Sequence, residues 1–452
     1  MELIGEYRAL IATLAAVAAL LVLILRFRMN AFAALILVAI LAALAAGMAP
    51  QAAFDTVVEG MGGTLGFIAV VIGLGALFGA IVESSGGLQT LAARLLDGAS
   101  VPRGRWMMAG LGLLASIPVF FDVALIVLAP LVFALANRAG RPALTFGLPL
   151  LAGLATAHSF IPPTPGPIAV AEILDADLGW VIAFGLPIGA LAVALAGPLY
   201  TGWLDRRGAL PEGDPADPLP PEDQPAASAA GPGAAVTAGL ILLPLVLILA
   251  GTLAGATIEP GFVRSAFDLV GHPFAALLIA CGATLLLLPA RTPEAKTRLQ
   301  GALTRALEPA GAVILVTGAG GAFKQVLVDT GAGAQLADAA AGLGMTPLVA
   351  GYVLALLVRV AQGSATVAMI TAAGLTAPLA AAAGLSAPAL ALVVIAIAAG
   401  ATGLSHVNDS GFWLVNRIFG LSEKDTLRTW SVAATLVSLT GFAASLVFML
   451  FV

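Results

Sequence analysis

The chain has 452 residues, of which 60% are apolar and only 10% charged, where a soluble domain carries roughly 25% charged residues. That composition excludes an ordinary soluble domain, and a net charge of -5 with basic residues scattered over separate loops excludes a nucleic-acid-binding surface. Cys281 is the single cysteine, so an intramolecular disulfide is impossible and a metal cluster is not expected.

Apolar runs such as 9–25, 31–46 and 430–452 approach the roughly 20 residues that cross a bilayer as a helix; a β-barrel would show short alternating segments instead. Glu2 and Glu6 precede the first run and Arg26 and Arg28 follow it, the reverse of a cleaved export signal. It is therefore expected to be a retained span whose basic end is cytoplasmic. Span 31–49 leads out to Asp55 and Glu59, and span 64–82 returns. The stretch 106–136 lies between Arg103 and Arg105 on one side and Arg138 and Arg141 on the other, so both flanks belong in the cytoplasm. A re-entrant inner hairpin, broken by Pro118 within SIPVFFD, satisfies that. Span 143–171 crosses to Asp175 and Asp177, and span 180–203 comes back to Arg206 and Arg207. Residues 205–235, with Pro211, Pro215, Pro218, Pro220, Pro221 and Pro225 among acids and small residues, read as a cytoplasmic linker between a first half, 1–204, and a second, 236–452.

The second half repeats the first. GALFGAIVESSGG at 75–87 aligns with GGAFKQVLVDTGA at 320–332, matching Phe78 to Phe323 at an offset of 245 (323 − 78). Gly166 and Gly411 keep the same offset (411 − 166). Charge placement runs span 236–257 out to Glu259, 271–289 back to Arg291, Lys296, Arg298 and Arg305, and 309–327 out again. An outer hairpin, 345–378, breaks at RVAQGSAT; span 388–412 enters to Arg417, Lys424 and Arg428, and 430–452 ends outside, as the N-terminus begins. The expected fold is an all-α polytopic membrane protein of two inverted repeats, each with about five spans, a re-entrant hairpin and a broken helix, the architecture of secondary transporters.

Polar residues that belong to no loop fall in four segments at corresponding places of the two halves: 116–122, 158–167, 359–366 and 405–411. Half-helix N-termini suit a carboxylate, while unwound carbonyls and hydroxyls suit protons, cations or hydroxyl groups. Asp122, among Phe120, Phe121 and Val123, is a candidate proton carrier or else a cap or Arg-paired structural acid. Arg359, before Gln362, Gly363, Ser364 and Thr366, is a candidate anion ligand, because a guanidinium grips a carboxylate through two parallel hydrogen bonds; the alternative is a partner for Asp122 or Asp409. In HSFIPPTPGP, Pro162, Pro163, Pro165 and Pro167 forbid a continuous helix and leave carbonyls near His158, Thr164 and Gly166. His158 and His406 titrate in the range of a proton relay or pack as neutral groups; Asn408, Asp409 and Ser410 complete the fourth segment as ligands or as a structural bridge. His272 reads as incidental. Ser84, Ser85 and Gly86, mirrored by Asp329, Thr330 and Gly331, read as turn chemistry, and GAGGAFK at 318–324 lacks the GK[ST] ending of a phosphate loop.

The strings PVFFDVALIVLAPLVFALA, HSFIPPTPGPIAVA, RVAQGSATVA, SHVNDSGFWLV and RTWSV resemble the gluconate permease family, within the larger ion-transporter superfamily, in order across the whole chain. The resemblance implies a bacterial inner-membrane symporter for gluconate or related sugar acids, a homodimer in which a mobile domain carries the hairpins against a static scaffold. It implies protons as the coupling ion with Na+ left open, no cofactor, and motif positions at Asp122, Pro162 to Pro167, Gln362 to Thr366 and His406 to Asp409. The chain departs from the family pattern in lacking a second histidine after the prolines and in having Ser410 where glycine is common. A channel would need a continuous polar pore, and an intramembrane hydrolase using Ser364 with His158 or His406 would lack any GxSxG or HExxH string. Gluconate, other aldonates, glycerate, hydroxy acids and D-serine all offer a carboxylate beside a polar carbon, so the residues do not separate them.

Overall fold

The computed structural model describes residues 8–27, 29–96, 98, 100–213, 233–288, 290, 292–333, 335, 342 and 345–452, which contain helices and no strand. Glu2, Glu6, Arg28, Arg291 and linker residues 214–232 lie outside the described residues. The first half runs α1 (Arg8–Leu25), α2 (Ala31–Ala46), α3 (Pro50–Ser84), α4 (Gly87–Leu96), α5 (Val101–Ala115), α6 (Phe121–Ala139), α7 (Leu144–Phe160), α8 (Pro165–Leu174) and α9 (Leu178–Arg206). The second runs α10 (Ala234–Thr257), α11 (Phe262–Gly271), α12 (Pro273–Leu287), α13 (Pro293–Asp329), α14 (Pro347–Gln362), α15 (Ala365–Ala382), α16 (Ala387–Thr402), α17 (Ser410–Ile418) and α18 (Glu423–Met449). Among the described residues eight helical stretches are long and apolar enough to cross a bilayer, or nine if α11 and α12, bent by 67°, form one span.

Local chemistry sets the helix ends. Pro50, Pro165, Pro293 and Pro347 stand at first positions, where the missing N–H costs nothing. Asn30, Thr292, Thr346 and Ser386 cap neighbouring amides with their side chains. α3 and α13 contain 35 and 37 residues, about 53 and 56 Å at roughly 1.5 Å per residue, well beyond a hydrocarbon core of about 30 Å. Asp55 and Glu59 therefore sit on the first turns of α3, and Lys296, Arg298 and Arg305 on the first turns of α13, rather than in the loops expected for them. Lys424 and Arg428 likewise lie within α18. An apolar run marks only the part of a helix matched to lipid, and nothing in the flanking polar residues stops the helix from continuing. α4 and α11 are short helices that the apolar periodicity did not announce.

The offset of 245 runs through the whole fold. α3 ends at Ser84 and α13 at Asp329 (329 − 84), α8 begins at Pro165 and α17 at Ser410 (410 − 165), and the left-handed turns at Gly86 and Gly331 have φ of 72° and 69°. α3 and α13 pack along most of their length in opposite directions: a Cβ on Gly60 would meet Gln325, one on Gly318 would meet Leu65, and the Thr56 hydroxyl donates to Asp329 Oδ2 at 2.9 Å. Two copies of one helix that lie antiparallel belong to repeats of inverted topology.

Each repeat contains two breaks. The first lies between α5 and α6 at 116–120, matched by Gly363 and Ser364 between α14 and α15; the second lies between α7 and α8 at 161–164, matched by 403–409 between α16 and α17. α5 packs along α7, and α14 along α16, in the same manner. Since α7 and α16 are buried along nearly all their length, the breaks open in the interior of the molecule rather than at its surface.

Candidate functional site

The helix starts that follow the four breaks meet at one cavity of about 380 Å³. Phe121, Pro165, Ala365 and Ser410, the first residues of α6, α8, α15 and α17, line it together. The opening amides of a helix have no intrahelical acceptor and carry partial positive charge, so this convergence favours an anion. The four helix starts are not equivalent. Asp409 caps α17, its Oδ1 accepting from the Gly411 N–H at 2.9 Å, and α6 carries Asp122 in its own first turn. α8 has lost donors at Pro165 and Pro167. At α15 the Ser364 hydroxyl accepts from the Val367 N–H at 3.4 Å, which leaves the amides of Ala365 and Thr366 to an incoming acceptor.

Arg359 ends α14 beside that start and is only 5% exposed. Its Nη1 donates to the Gly363 carbonyl and its Nη2 to Asp409 Oδ2, so the partner left open by the sequence is Asp409 and not Asp122. The remaining guanidinium nitrogen, Nε, is buried without a partner among the described residues. Gly363 turns the chain with φ of 88°, and a Cβ there would lie 2.1 Å from the Asn408 carbonyl oxygen. His406 Nε2 and Asn408 Nδ2 both donate to the Val360 carbonyl at 2.8 Å, which stitches the 403–409 segment to the end of α14.

The network continues from Asp409. The Ser405 hydroxyl donates to Asp409 Oδ2 at 2.5 Å and accepts from Trp430 Nε1 at 2.8 Å, while the Ser431 hydroxyl donates to the Ser405 carbonyl. The Trp430 ring stacks on Phe121 with centroids 5.8 Å apart, so the chain of contacts runs from Arg359 through α18 to the start of α6. Asp122 faces the cavity with no hydrogen bond or ion pair among the described residues, and Asp409 is a like charge that acts on it. His158 lies against Phe120 with centroids 6.2 Å apart; its Nδ1 and the Gln362 Oε1 are buried without partners.

Asp122, His158, Arg359, Gln362, Gly363, Ser364, Thr366, Asn408, Asp409 and Ser410 thus share one wall system, although they come from segments almost 290 positions apart (410 − 122). Thr164, Gly166 and His406 lie outside it. The Thr164 hydroxyl donates to the Ile161 carbonyl at 2.7 Å and borders a smaller cavity shared with Pro118, Pro163 and His158; Gly166 faces Met369; His406 is turned to Val360. Sequence reasoning did not name Trp430, Pro309, Val313 or Thr402, which also line the cavity. Two signals were available: the tryptophan of RTWSV is an aromatic with a donor opening an apolar run, and Pro309 is a proline inside one.

Residues 8–451 match the family described as GntP family permease. The chain is 38% identical over 425 residues to the low-affinity gluconate transporter of Escherichia coli (strain K12), a match covering 93% of this chain and 94% of that protein. It is 36% identical over 434 residues to the Gnt-II system L-idonate transporter of the same organism, covering 96% and 97%. The crystal structure of the Alcanivorax borkumensis YdaH transporter shares the fold, with a TM-score of 0.61 at 19% identity over 89% of each chain. A membrane fold of inverted repeats around a central cavity, together with a family match over nearly its whole length, makes this chain a multi-pass membrane permease that belongs to the GntP family.

Proposed function

We propose that the protein is a proton-coupled symporter that imports gluconate or a closely related sugar acid across the bacterial inner membrane, with both termini outside and the chain assembled as a homodimer. The observation that carries this reading is the convergence of four helix starts and the Arg359 guanidinium on one cavity whose wall holds the unpartnered Arg359 Nε, Gln362 Oε1 and His158 Nδ1. The substrate carboxylate docks at the start of α15, where the amides of Ala365 and Thr366 and the guanidinium offer donors and no resident carboxylate competes for those amides. The hydroxylated carbons then extend towards Gln362, Asn408, Ser410 and His158, which supply both donors and acceptors. The relatives named as gluconate and L-idonate transporters support an aldonate as the cargo.

Asp122, His158, His406 and Asp409 are the groups from which the coupling proton is drawn, Asp122 and Asp409 because they are carboxylates beside the anion site. Reorientation follows the elevator pattern, the bundle that bears the breaks moving against the long α3 and α13 pair. The test is uptake of radiolabelled gluconate into proteoliposomes under an inward pH gradient, with and without Na+, with unlabelled sugar acids as competitors. Gradient-driven accumulation without Na+ is the expected result. A strict Na+ requirement would replace the coupling ion, and uptake of a competitor but not gluconate would replace the substrate.

A further inference from the structure

We infer that Asp409 and the substrate carboxylate compete for Arg359, and that Asp409 takes up a proton when the substrate binds; the inference rests on the transport of a sugar acid proposed above. Arg359 stands at the docking point for the carboxylate, yet its Nη2 is already engaged by Asp409 Oδ2 and its Nη1 by the Gly363 carbonyl. A carboxylate grips a guanidinium through two parallel N–H donors, either along the Nη1 and Nη2 end or along the Nε and Nη2 side. Each Nη carries two N–H groups, so the side edge can take a second carboxylate while Asp409 keeps its own bond. Nε has no partner among the described residues, so the incoming carboxylate takes that edge, and it then competes with Asp409 for a single positive charge.

Asp409 is built to survive that exchange. It keeps the Ser405 hydroxyl and the Gly411 amide as donors when the guanidinium charge is shared, and both bonds can be accepted by a neutral carboxyl as well as by a carboxylate. As a carboxylate, 7% exposed, it would line the cavity together with Asp122 and the substrate anion, three carboxyl groups against one guanidinium. Taking one proton onto Oδ2 removes that repulsion and turns the same oxygen into a donor towards the substrate carboxylate. The balance is simple: one proton from the aqueous side adds to the Asp409 carboxylate, the Arg359 charge is left to the substrate, and no covalent bond breaks.

The surrounding groups do not supply this proton link in Asp409's place. α6 presents Asp122, which has no contact with Arg359; α7 presents His158, which faces Phe120; His406 is held by the Val360 carbonyl. α13 contributes Pro309 and Val313 to the wall, with Arg305 and Glu308 on the preceding turn, and α18 contributes Trp430, which does not titrate.

The experiment is calorimetric binding of gluconate to the purified full-length protein across pH, repeated in buffers of different ionisation enthalpy to count protons taken up. Where Asp409 is ionised before binding, the wild type is expected to take up about one proton per gluconate and to lose affinity about tenfold per pH unit as pH rises, the slope of a single linked proton. Asp409→Asn is expected to bind with a flat pH dependence. Binding by the wild type without proton uptake would overturn the exchange while leaving the transport reading intact, and so would a slope that persists in Asp409→Asn or vanishes only in Asp122→Asn. A wild type that binds no sugar acid at any pH overturns both. Should Asp409→Asn fail to fold, a wild-type proton count near zero, or a slope lost in Asp122→Asn, still overturns the exchange.

Discussion

Arg359 and Asp409, fifty positions apart in the chain, form an ion pair buried at the meeting point of the second hairpin and the second broken helix. Removing one member strands the other charge in a buried site, a loss of about 3–5 kcal/mol. Arg359→Ala is therefore expected to lower the melting temperature sharply. Arg359→Lys keeps the charge but not the fork, and loss of one charge-assisted hydrogen bond of about 1.5–3 kcal/mol predicts gluconate binding weaker by about 10- to 150-fold. Wild-type affinity in the lysine variant would exclude Arg359 as the anion ligand.

Asp122 faces the cavity without a hydrogen-bond or ion-pair partner among the described residues. Asp122→Asn removes a titrating group that no hydrogen bond or ion pair depends on, so the fold is expected to persist while proton-driven accumulation falls relative to counterflow exchange by at least about tenfold, the effect of roughly 1.4 kcal/mol. Undiminished accumulation in liposomes with an imposed pH gradient would remove Asp122 from the proton path.

Gly363 combines a left-handed φ of 88° with a Cβ position 2.1 Å from the Asn408 carbonyl oxygen. Gly363→Ala is expected to cost at least the roughly 1–3 kcal/mol of a strained backbone, pushing the α14 end away from the 403–409 segment and abolishing uptake. Gly62→Ala, where a Cβ meets nothing within 4 Å on the helical α3, is the control that should retain both stability and transport. Equal behaviour of the two variants would contradict the close approach.

Trp430 reaches the site by two separable contacts, a hydrogen bond to Ser405 and a stack on Phe121. Trp430→Phe keeps the stack and loses the donor, worth about 0.5–1.5 kcal/mol, so KM for gluconate is expected to rise about 2- to 12-fold. Trp430→Ala loses both and is expected to be more severe in uptake assays. If phenylalanine and alanine are equally harmful, the aromatic stack contributes nothing.

Orientation is open to a direct chemical test. In a Cys281→Ser background, a cysteine at Ala209, just beyond α9, is expected to resist impermeant thiol reagents in right-side-out vesicles and to react after the membrane is opened. Labelling of the intact vesicles would reverse the topology.

Much of this was legible in the chain itself. The long apolar runs, the prolines at 118 and 162 to 167, the glycine at 363 and the offset of 245 residues act through neighbouring backbone, so helix breaks and the inverted duplication can be read without knowing what packs on what. That same locality explains why the four polar segments were recognisable, for polar side chains in a break have no loop to account for them. Partner choice is a different kind of property. Whether Arg359 meets Asp122 or Asp409, whether Thr164 points at the cavity or at its own carbonyl, and whether Trp430 or Pro309 enters the wall depend on how helices from distant parts of the chain cross, and a shift of one helical face would change every answer. The sequence alone therefore determined a membrane protein of two inverted repeats with breaks at known places, because those features are written in adjacent residues. Only the tertiary structure decided which charges meet inside it, because that is set by the packing of helices that the sequence keeps far apart.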